Sequence, residues 1–210
     1  MNPGPGRRTS MLGLVLAALP AGAPARTADE AVRRAISDLR QGGFVIYIRH
    51  GETGGIGADR APVMGDCSTQ RNLDATGRAQ VRRMGEDFRA LGLPVGKVLS
   101  SEYCRCWQHA EAMFGKDGYR IVEALSLPRS YPAVTADDRR LKTDALRALL
   151  AEPPAPGTNT VLVSHGNNML MLTGYHPGTQ GEAVIFRPDG KGGYARIASV
   201  LPPDWTAARR

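Results

Sequence analysis

Three short runs rich in apolar residues, separated by long stretches of more polar sequence, are the feature that most constrains the fold of this chain. They are Phe44–Ile48, Lys97–Leu99 and Thr160–Val163. Short apolar runs between turn residues are typical of strands that are buried on both faces of a sheet. Such strands, alternating with helices along the chain, indicate an α/β fold with a mainly parallel sheet.

The intervening segments carry helical periodicity and capping residues. Apolar residues at spacings of three and four predict a helix that Asp74 caps and that runs to about Leu91. Thr135 and Asp138 form a capping-box pattern at the start of another helix. Further helices are predicted over Ala28–Arg40, Tyr103–Phe114 and Asn167–Thr173, and further strands over Arg120–Ala124, Ala183–Arg187 and Tyr194–Val200. The expected fold is a three-layer α/β sandwich, a mainly parallel central sheet flanked by helices, whose last two strands form a hairpin.

The N-terminal segment has the composition of an export signal. Arg7 and Arg8 precede the apolar run Met11–Leu19, and Ala23–Ala25 supplies small residues for cleavage. This run of about nine residues is too short for a membrane-spanning helix, which needs roughly 20. We therefore predict a signal peptide over residues 1–25, a single domain over residues 26–210, no membrane span after cleavage, and a periplasmic or secreted protein. General secretion and twin-arginine export both remain open.

The charge of the chain is positive and does not by itself select a partner. The formal net charge is +7, and removal of two arginines and no acids with residues 1–25 leaves +5. A positive excess suits anionic substrates, nucleic acids and membrane surfaces alike. Because no Lys/Arg run and no basic stripe interleaved with aromatic residues is present, binding to nucleic acid is not predicted.

Polar clusters follow the three apolar runs, at the point where each predicted strand ends. The clusters are Arg49–Thr53, Ser100–Arg105 and Ser164–Gly166. Since the carboxyl ends of parallel strands meet at one edge of a sheet, where ligands bind, we expect these clusters to lie close together. The expected site contains two arginines and two histidines: Arg49, His50, Arg105 and His165.

The same clusters carry a family resemblance. Arg49–Thr53, placed after a strand, resembles the signature of the histidine phosphatase superfamily, which includes phosphoglycerate mutases and many phosphatases. Asn72–Gln80 resembles the start of the first helix of that family, Ser100–Gln108 its second arginine motif, and Ser164–Gly166 its second histidine motif. The resemblance spans residues 44–200. It implies a phosphatase that hydrolyses a phosphoric monoester, or a related phosphoanhydride or phosphoramidate, with a small phosphorylated substrate as partner and with no cofactor and no metal.

The resemblance also implies the roles of the site residues. His50 is expected to attack phosphorus and form a phosphohistidine. Arg49 and Arg105 are expected to hold the phosphate and to keep the imidazole neutral through their positive charge. His165 is expected to donate a hydrogen bond to the phosphoryl oxygens. Gly51, Thr53, Arg71 and Gly166 are the expected substrate-binding positions.

The general acid is where the chain departs from the family pattern. Many members carry Glu or Asp after the third strand, whereas Ala124–Pro128 offers no carboxyl group here. Glu123 lies slightly earlier and Glu182 much later, and they are the two candidates. Without an acid, substrates with good leaving groups, such as phosphohistidine, acyl phosphates or pyrophosphates, become favoured. A non-catalytic phosphoanion-binding protein on the same fold is the alternative function, and a phosphomutase is a third.

Three cysteines predict one disulfide and one free thiol in an oxidising compartment. Cys67 pairs with Cys104 or with Cys106, and the first pairing would tie the long loop to the second arginine motif. A metal site is not predicted, because Cys104, Cys106 and His109 would point in different directions from one helix. His109 and His176 follow no predicted strand and are expected to be packed or surface residues.

Overall fold

The computed structural model describes residues 1, 28–55, 59, 61–128 and 133–210. Apart from Met1, the predicted signal peptide lies outside the described residues. The helices are α1 Ala28–Asp38, α2 Ala75–Ala90, α3 Cys104–Phe114, α4 Ala136–Ala151, α5 Gly166–Thr173 and α6 Pro202–Ala207. The strands are β1 Val45–Arg49, β2 Val95–Ser100, β3 Arg120–Ile121, β4 Asn159–Ser164, β5 Ala183–Pro188 and β6 Tyr194–Val200.

The six strands form one mixed sheet in the order β3-β2-β4-β1-β5-β6. β4 pairs in parallel with both β1 and β2, and β3 is parallel to β2. β5 and β6 are the predicted hairpin, and β5 is antiparallel to β1. The mainly parallel sheet is therefore confirmed, and its antiparallel end comes from the hairpin.

The central strands are apolar on both faces because a helical layer covers each face. Ile46 and Ile48 of β1 pack into the core shared with α1, α2, α3 and α6. Val45 and Tyr47, which point the other way, pack into the core beneath α4 and α5. Alternate residues of one strand thus enter two different cores. The three-layer sandwich predicted from the continuous apolar runs is confirmed.

Two helices begin at the capping residues from which the sequence predicted them. The Asp74 side chain accepts a hydrogen bond from Gly77 N at 2.7 Å at the start of α2. Thr135 and Asp138 form a reciprocal capping box at the start of α4. Such side-chain bonds satisfy backbone N–H groups that have no partner within the helix.

One predicted strand ends earlier than expected, and one helix lies where no element was predicted. β3 ends at Ile121 instead of Ala124, because the chain turns into a 3-10 helix at Glu123–Leu125 that buries Leu125. The proline-rich C-terminal tail forms α6, which Pro202 opens at a position where proline costs no hydrogen bond. None of the helices in the described ranges combines the length and apolarity that a membrane crossing requires.

Candidate active site

The predicted site residues meet at the carboxyl edge of the sheet. His50 N donates to Ser164 O at 3.0 Å, and Ser101 N donates to Val163 O at 3.0 Å, so the three strand ends lie side by side. A cavity of about 360 Å³ opens at this edge, and we call it the active-site cavity. Its lining consists of Arg49, His50, Asp59, Arg71, Arg105, Leu127, His165, Gly166, Asn167 and His176.

His50 is held as a neutral imidazole in one tautomer. Its Nδ1 lies 2.9 Å from Gly51 O. Because a carbonyl oxygen can only accept, Nδ1 carries the proton and Nε2 keeps its lone pair. Burial, followed by the charge of Arg105, lowers the pKa of His50 well below its ordinary value. This is the protonation state that a nucleophilic histidine requires.

His165 faces His50, with 5.5 Å between the two ring centroids. Its Nε2 lies 2.9 Å from Ser101 Oγ, and its Nδ1 lies 3.4 Å from Arg105 Nη2. Burial and Arg105 lower the pKa of His165 well below its ordinary value, so this ring is neutral too. The Ser101 hydroxyl can donate or accept, and it therefore supports either tautomer of His165.

The two arginines are anchored while donors remain for an anion. Arg49 Nη1 donates to Pro177 O at 2.7 Å and to Gly178 O at 2.9 Å. Arg105 is buried, stacks over the Tyr103 ring at 4.6 Å, and has an Nε without a hydrogen-bond partner among the described residues. Since each guanidinium carries five N–H donors in a planar fork, both can still bind a tetrahedral anion.

The start of α2 supports the loop that follows His50. A Cβ on Gly77 would lie 2.0 Å from Glu52 O, so only glycine allows this approach of the helix to the loop. Asp74 N donates to Glu52 O at 3.2 Å, and Glu52 N donates to Gln80 Oε1 at 3.2 Å. The Asn72–Gln80 motif therefore has a positioning role, although Asn72 and Gln80 do not line the cavity.

His109 also supports this loop. The ring is buried on α3, where its Nδ1 accepts a hydrogen bond from Gly51 N at 3.1 Å. Burial lowers its pKa to about 3, so the ring remains a neutral acceptor. The sequence predicted a packed or surface residue, and the packed placement is correct. Its bond to Gly51, in the loop that follows His50, was missed because nothing in the helical spacing indicates it.

His176 was predicted to be either packed or on the surface, and the surface placement is correct because the residue is exposed. It nevertheless lines the active-site cavity. A Cβ on Gly166 would lie 2.5 Å from His176 Nε2, so the absence of a side chain on Gly166 makes room for this ring. The chain that leaves α5 brings His176 back to the cavity. No sequence pattern marks that return.

The four predicted substrate-binding positions separate into two groups. Arg71 and Gly166 line the cavity. Thr53 does not, because its backbone N and its hydroxyl both bond to Gln180 Oε1, at 2.8 and 3.4 Å. Gly51 packs against α2 instead, where an added Cβ would lie 2.6 Å from Val81 Cγ1.

Neither predicted general acid reaches the cavity. Glu123 is largely exposed, and its carboxylate lies 2.5 Å from Lys142 Nζ. Glu182 is buried, but its carboxylate bonds to the Tyr175 hydroxyl and to Thr179 N, and it does not line the cavity. These contacts correct the sequence expectation for both residues.

Among the described residues that line the cavity, Asp59 carries the only carboxyl group. It lies within residues 54–70, which are rich in small residues and carry no helical or strand period. The sequence analysis therefore had no signal that singled it out.

The cysteines form one of the two pairings that the sequence left open. Cys67 and Cys104 are joined in a disulfide, with 5.7 Å between their Cα atoms. Cys106 is the free, buried thiol, and burial raises its pKa to about 12. The disulfide ties the segment before α2 to the first turn of α3, where Arg105 lies.

Comparisons with known proteins agree with this architecture. The family described as histidine phosphatase superfamily (branch 1) matches residues 45–127. The fold of this chain resembles that of the protein histidine phosphatase SixA complexed with tungstate. The two chains are 20% identical with a TM-score of 0.53, and the match covers 77% of this chain and 98% of that one. No curated protein sequence matched the chain.

Two further solved structures show the same fold. A phosphoserine phosphatase from Entamoeba histolytica, in complex with phosphoserine, is 15% identical with a TM-score of 0.53 and covers 77% and 98% of the two chains. The α-ribazole phosphatase from Shigella flexneri is 16% identical with a TM-score of 0.54 and covers 76% and 96%. The family model matches residues 45–127, so this segment is similar to the histidine phosphatase superfamily, and these solved structures share the fold of the chain.

Proposed function

We propose that this protein is a phosphatase that hydrolyses small phosphorylated compounds through a phosphohistidine on His50. One observation carries the proposal. The His50 ring is neutral, donates through Nδ1 to Gly51 O, and lines a cavity that also contains Arg49, Arg105 and His165. The lone pair of Nε2 is then the only part of this ring that can act on a bound phosphoryl group.

The reaction follows from these groups in two displacements. Nε2 of His50 attacks phosphorus, the N–P bond forms, and the bond from phosphorus to the leaving group breaks. Water then attacks the phosphohistidine and releases phosphate. Arg49 and Arg105 compensate the charge on the equatorial oxygens. His165 donates to one of these oxygens from Nδ1, while its Nε2 accepts from the Ser101 hydroxyl.

We also propose that the reaction is metal-independent. Among the described residues, the guanidinium groups of Arg49, Arg71 and Arg105 line the cavity. They can supply the charge stabilisation that metal ions provide at other phosphoryl-transfer sites. Turnover that persists in a chelator would support this part of the proposal.

The substrate is proposed only as a class: a phosphoric monoester, or a related phosphoanhydride or phosphoramidate. The three structural relatives carry names that imply three different substrates, so the shared fold does not select among them. The small, cationic cavity favours a small anionic compound.

A second candidate function is non-catalytic binding of a phosphoanion. The segment after β3 favours it, because Leu127 lines the cavity at a place where many family members carry an acid. A phosphomutase ranks third, since mutases act on cytosolic sugar phosphates and we propose export for this chain.

Export is itself a proposal that rests on Arg7, Arg8 and the following apolar run. The Cys67–Cys104 disulfide supports it, because such bonds persist in oxidising compartments. Mass spectrometry of the protein recovered from the producing cells should find a chain that begins close to residue 26. An intact N-terminus on a protein that stays in the cytoplasm would refute export.

The proposed activity is tested by hydrolysis of p-nitrophenyl phosphate and pyrophosphate in the presence of a chelator, with His50→Ala alongside. We expect the variant to lose at least on the order of 10³-fold in kcat. The parent, but not the variant, should trap acid-labile phosphate. Equal rates for the two proteins would refute the proposal, and phosphate binding without turnover would favour the binding protein.

A further inference from the structure

Asp59 is held inside the active-site cavity by two partners. Its side chain is 7% exposed, and Oδ2 lies 3.0 Å from Arg105 Nη1. Arg71 N donates to Oδ1 at 2.6 Å, and Oδ1 also lies 3.2 Å from Arg105 Nη1. A buried carboxylate is costly unless it is paired and hydrogen-bonded, and here it is both. These contacts define where the carboxyl group lies relative to the phosphate-binding arginine.

Among the described residues that line the site, no other one carries a carboxyl group. Glu123 and Glu182 are both bonded elsewhere, and the segment after β3 contributes Leu127. Asp59 instead enters the cavity from the chain between β1 and α2. The site therefore contains a carboxyl group supplied by a different part of the fold.

We infer that Asp59 is the general acid and base of this site. The inference rests on the proposed phosphatase function and names a catalytic residue for it. In the first step the Asp59 carboxylic acid donates its proton to the leaving oxygen as the P–O bond breaks and the His50 N–P bond forms. In the second step the Asp59 carboxylate accepts a proton from the attacking water as the N–P bond breaks.

The charges around Asp59 explain how a carboxylate paired with an arginine can act as an acid. The titratable and charged groups that line the cavity with it are Arg49, His50, Arg71, Arg105, His165 and His176, and Cys106 lies nearby. A bound phosphoryl dianion would take over guanidinium donors that now serve Asp59 and would place negative charge beside it. Both changes favour the protonated carboxyl group. Binding of the substrate would therefore favour the form of Asp59 that donates a proton.

The inference widens the expected substrate class. A phosphatase without an acid is restricted to good leaving groups, whereas one with an acid also cleaves alkyl phosphates, whose alkoxide must be protonated. The small cavity and a proton donor together point to phosphate esters of alcohols as substrates.

The test compares leaving groups in the full-length protein. We would measure kcat/KM for p-nitrophenyl phosphate, phenyl phosphate and glycerol phosphate with the parent, Asp59→Asn, Asp59→Glu and Glu123→Gln. We expect Asp59→Asn to lower the value for glycerol phosphate by about 10²- to 10³-fold and that for p-nitrophenyl phosphate by less than about tenfold. Asp59→Glu should recover part of the loss, and Glu123→Gln should behave as the parent.

Three outcomes would overturn the inference. The first is an equal loss for all leaving groups in Asp59→Asn, which would mean that Asp59 only positions Arg105. The second is no loss at all. The third applies if Asp59→Asn does not fold, and it uses the parent protein alone. It is a kcat/KM of the parent that falls steeply from p-nitrophenyl phosphate to glycerol phosphate.

Failure of the proposed function gives a different result. A parent that hydrolyses none of the three esters would refute the phosphatase proposal, and the inference about Asp59 would fall with it. A parent whose activity requires His50, with identical leaving-group dependence in Asp59→Asn, would refute the inference alone.

Discussion

Two of the histidines that line the cavity, His50 and His165, and the Asp59 carboxyl group are held in different ways. His50 and His165 directly follow adjacent strands, so the parallel pairing of β1 with β4 brings them together. Asp59 belongs to the longer connection between β1 and α2, and it is held there by Arg105 and the Arg71 backbone. Sheet register therefore positions the proposed nucleophile, whereas side-chain pairing positions the proposed proton donor.

The largest effect is expected at His165, one of the two histidines that the sheet register positions. His165→Ala removes a hydrogen-bond donor that we expect at the phosphoryl oxygens, next to the nucleophile at 5.5 Å between ring centroids. We expect kcat for p-nitrophenyl phosphate to fall by about 10²- to 10³-fold. Steady-state kinetics with a thermal melt as folding control would measure this. A fully active, folded variant would remove His165 from the proposed mechanism.

The Cys67–Cys104 disulfide anchors the connection between β1 and α2, in which Asp59 lies. Cys67 and Cys104 are separated by 37 residues, and the bond restricts the unfolded chain. We expect Cys67→Ser to lower the free energy of unfolding by about 2–4 kcal/mol in urea titrations under oxidising conditions. Cys104→Ser should give the same loss, and the double variant no more. A larger loss in the double variant would show that Cys106 forms a replacement bond.

A smaller effect is expected at Ser101, whose hydroxyl lies 2.9 Å from Nε2 of His165 and, by donating to it, would leave the ring proton on Nδ1 for the phosphoryl group. Ser101→Ala should lower kcat about five- to tenfold, the equivalent of one hydrogen bond, and leave KM nearly unchanged. Ser126→Ala is the matched control, because its hydroxyl contacts Ser101 but not His165. An equal loss in both variants would indicate a packing effect instead.

The smallest effect concerns pH. Burial and Arg105 lower the pKa of His50 well below its ordinary value, so the imidazole stays neutral as the solution becomes acidic. We expect kcat/KM for p-nitrophenyl phosphate, whose leaving group needs little proton assistance, to change less than about twofold from pH 7.5 to pH 5.5 after correction for ionisation of the substrate. A histidine with an ordinary pKa near 6.5 would cause a loss of about tenfold over this range. A loss of that size, with its midpoint near pH 6.5, would contradict the buried neutral state.

The elements that the sequence predicted correctly are those with local signals. The apolar run of β1, the capping aspartate at position 74 and the capping box at Thr135 each depend on residues that are close together in the chain. The boundaries of β3 and the helix α6 were missed. Their form depends on where Leu125 and Trp205 can be buried, and both side chains are buried against distant parts of the chain.

By itself the sequence determined the α/β class, the order of the strands along the chain, and the meeting of His50 with His165. These follow from short apolar runs and from the rule that parallel strands end at one edge. Only the tertiary structure decided which carboxyl group faces the cavity and which partner Cys67 takes. Those outcomes depend on side chains that are distant in sequence but share one small volume, and a pattern of neighbouring residues does not encode such distances.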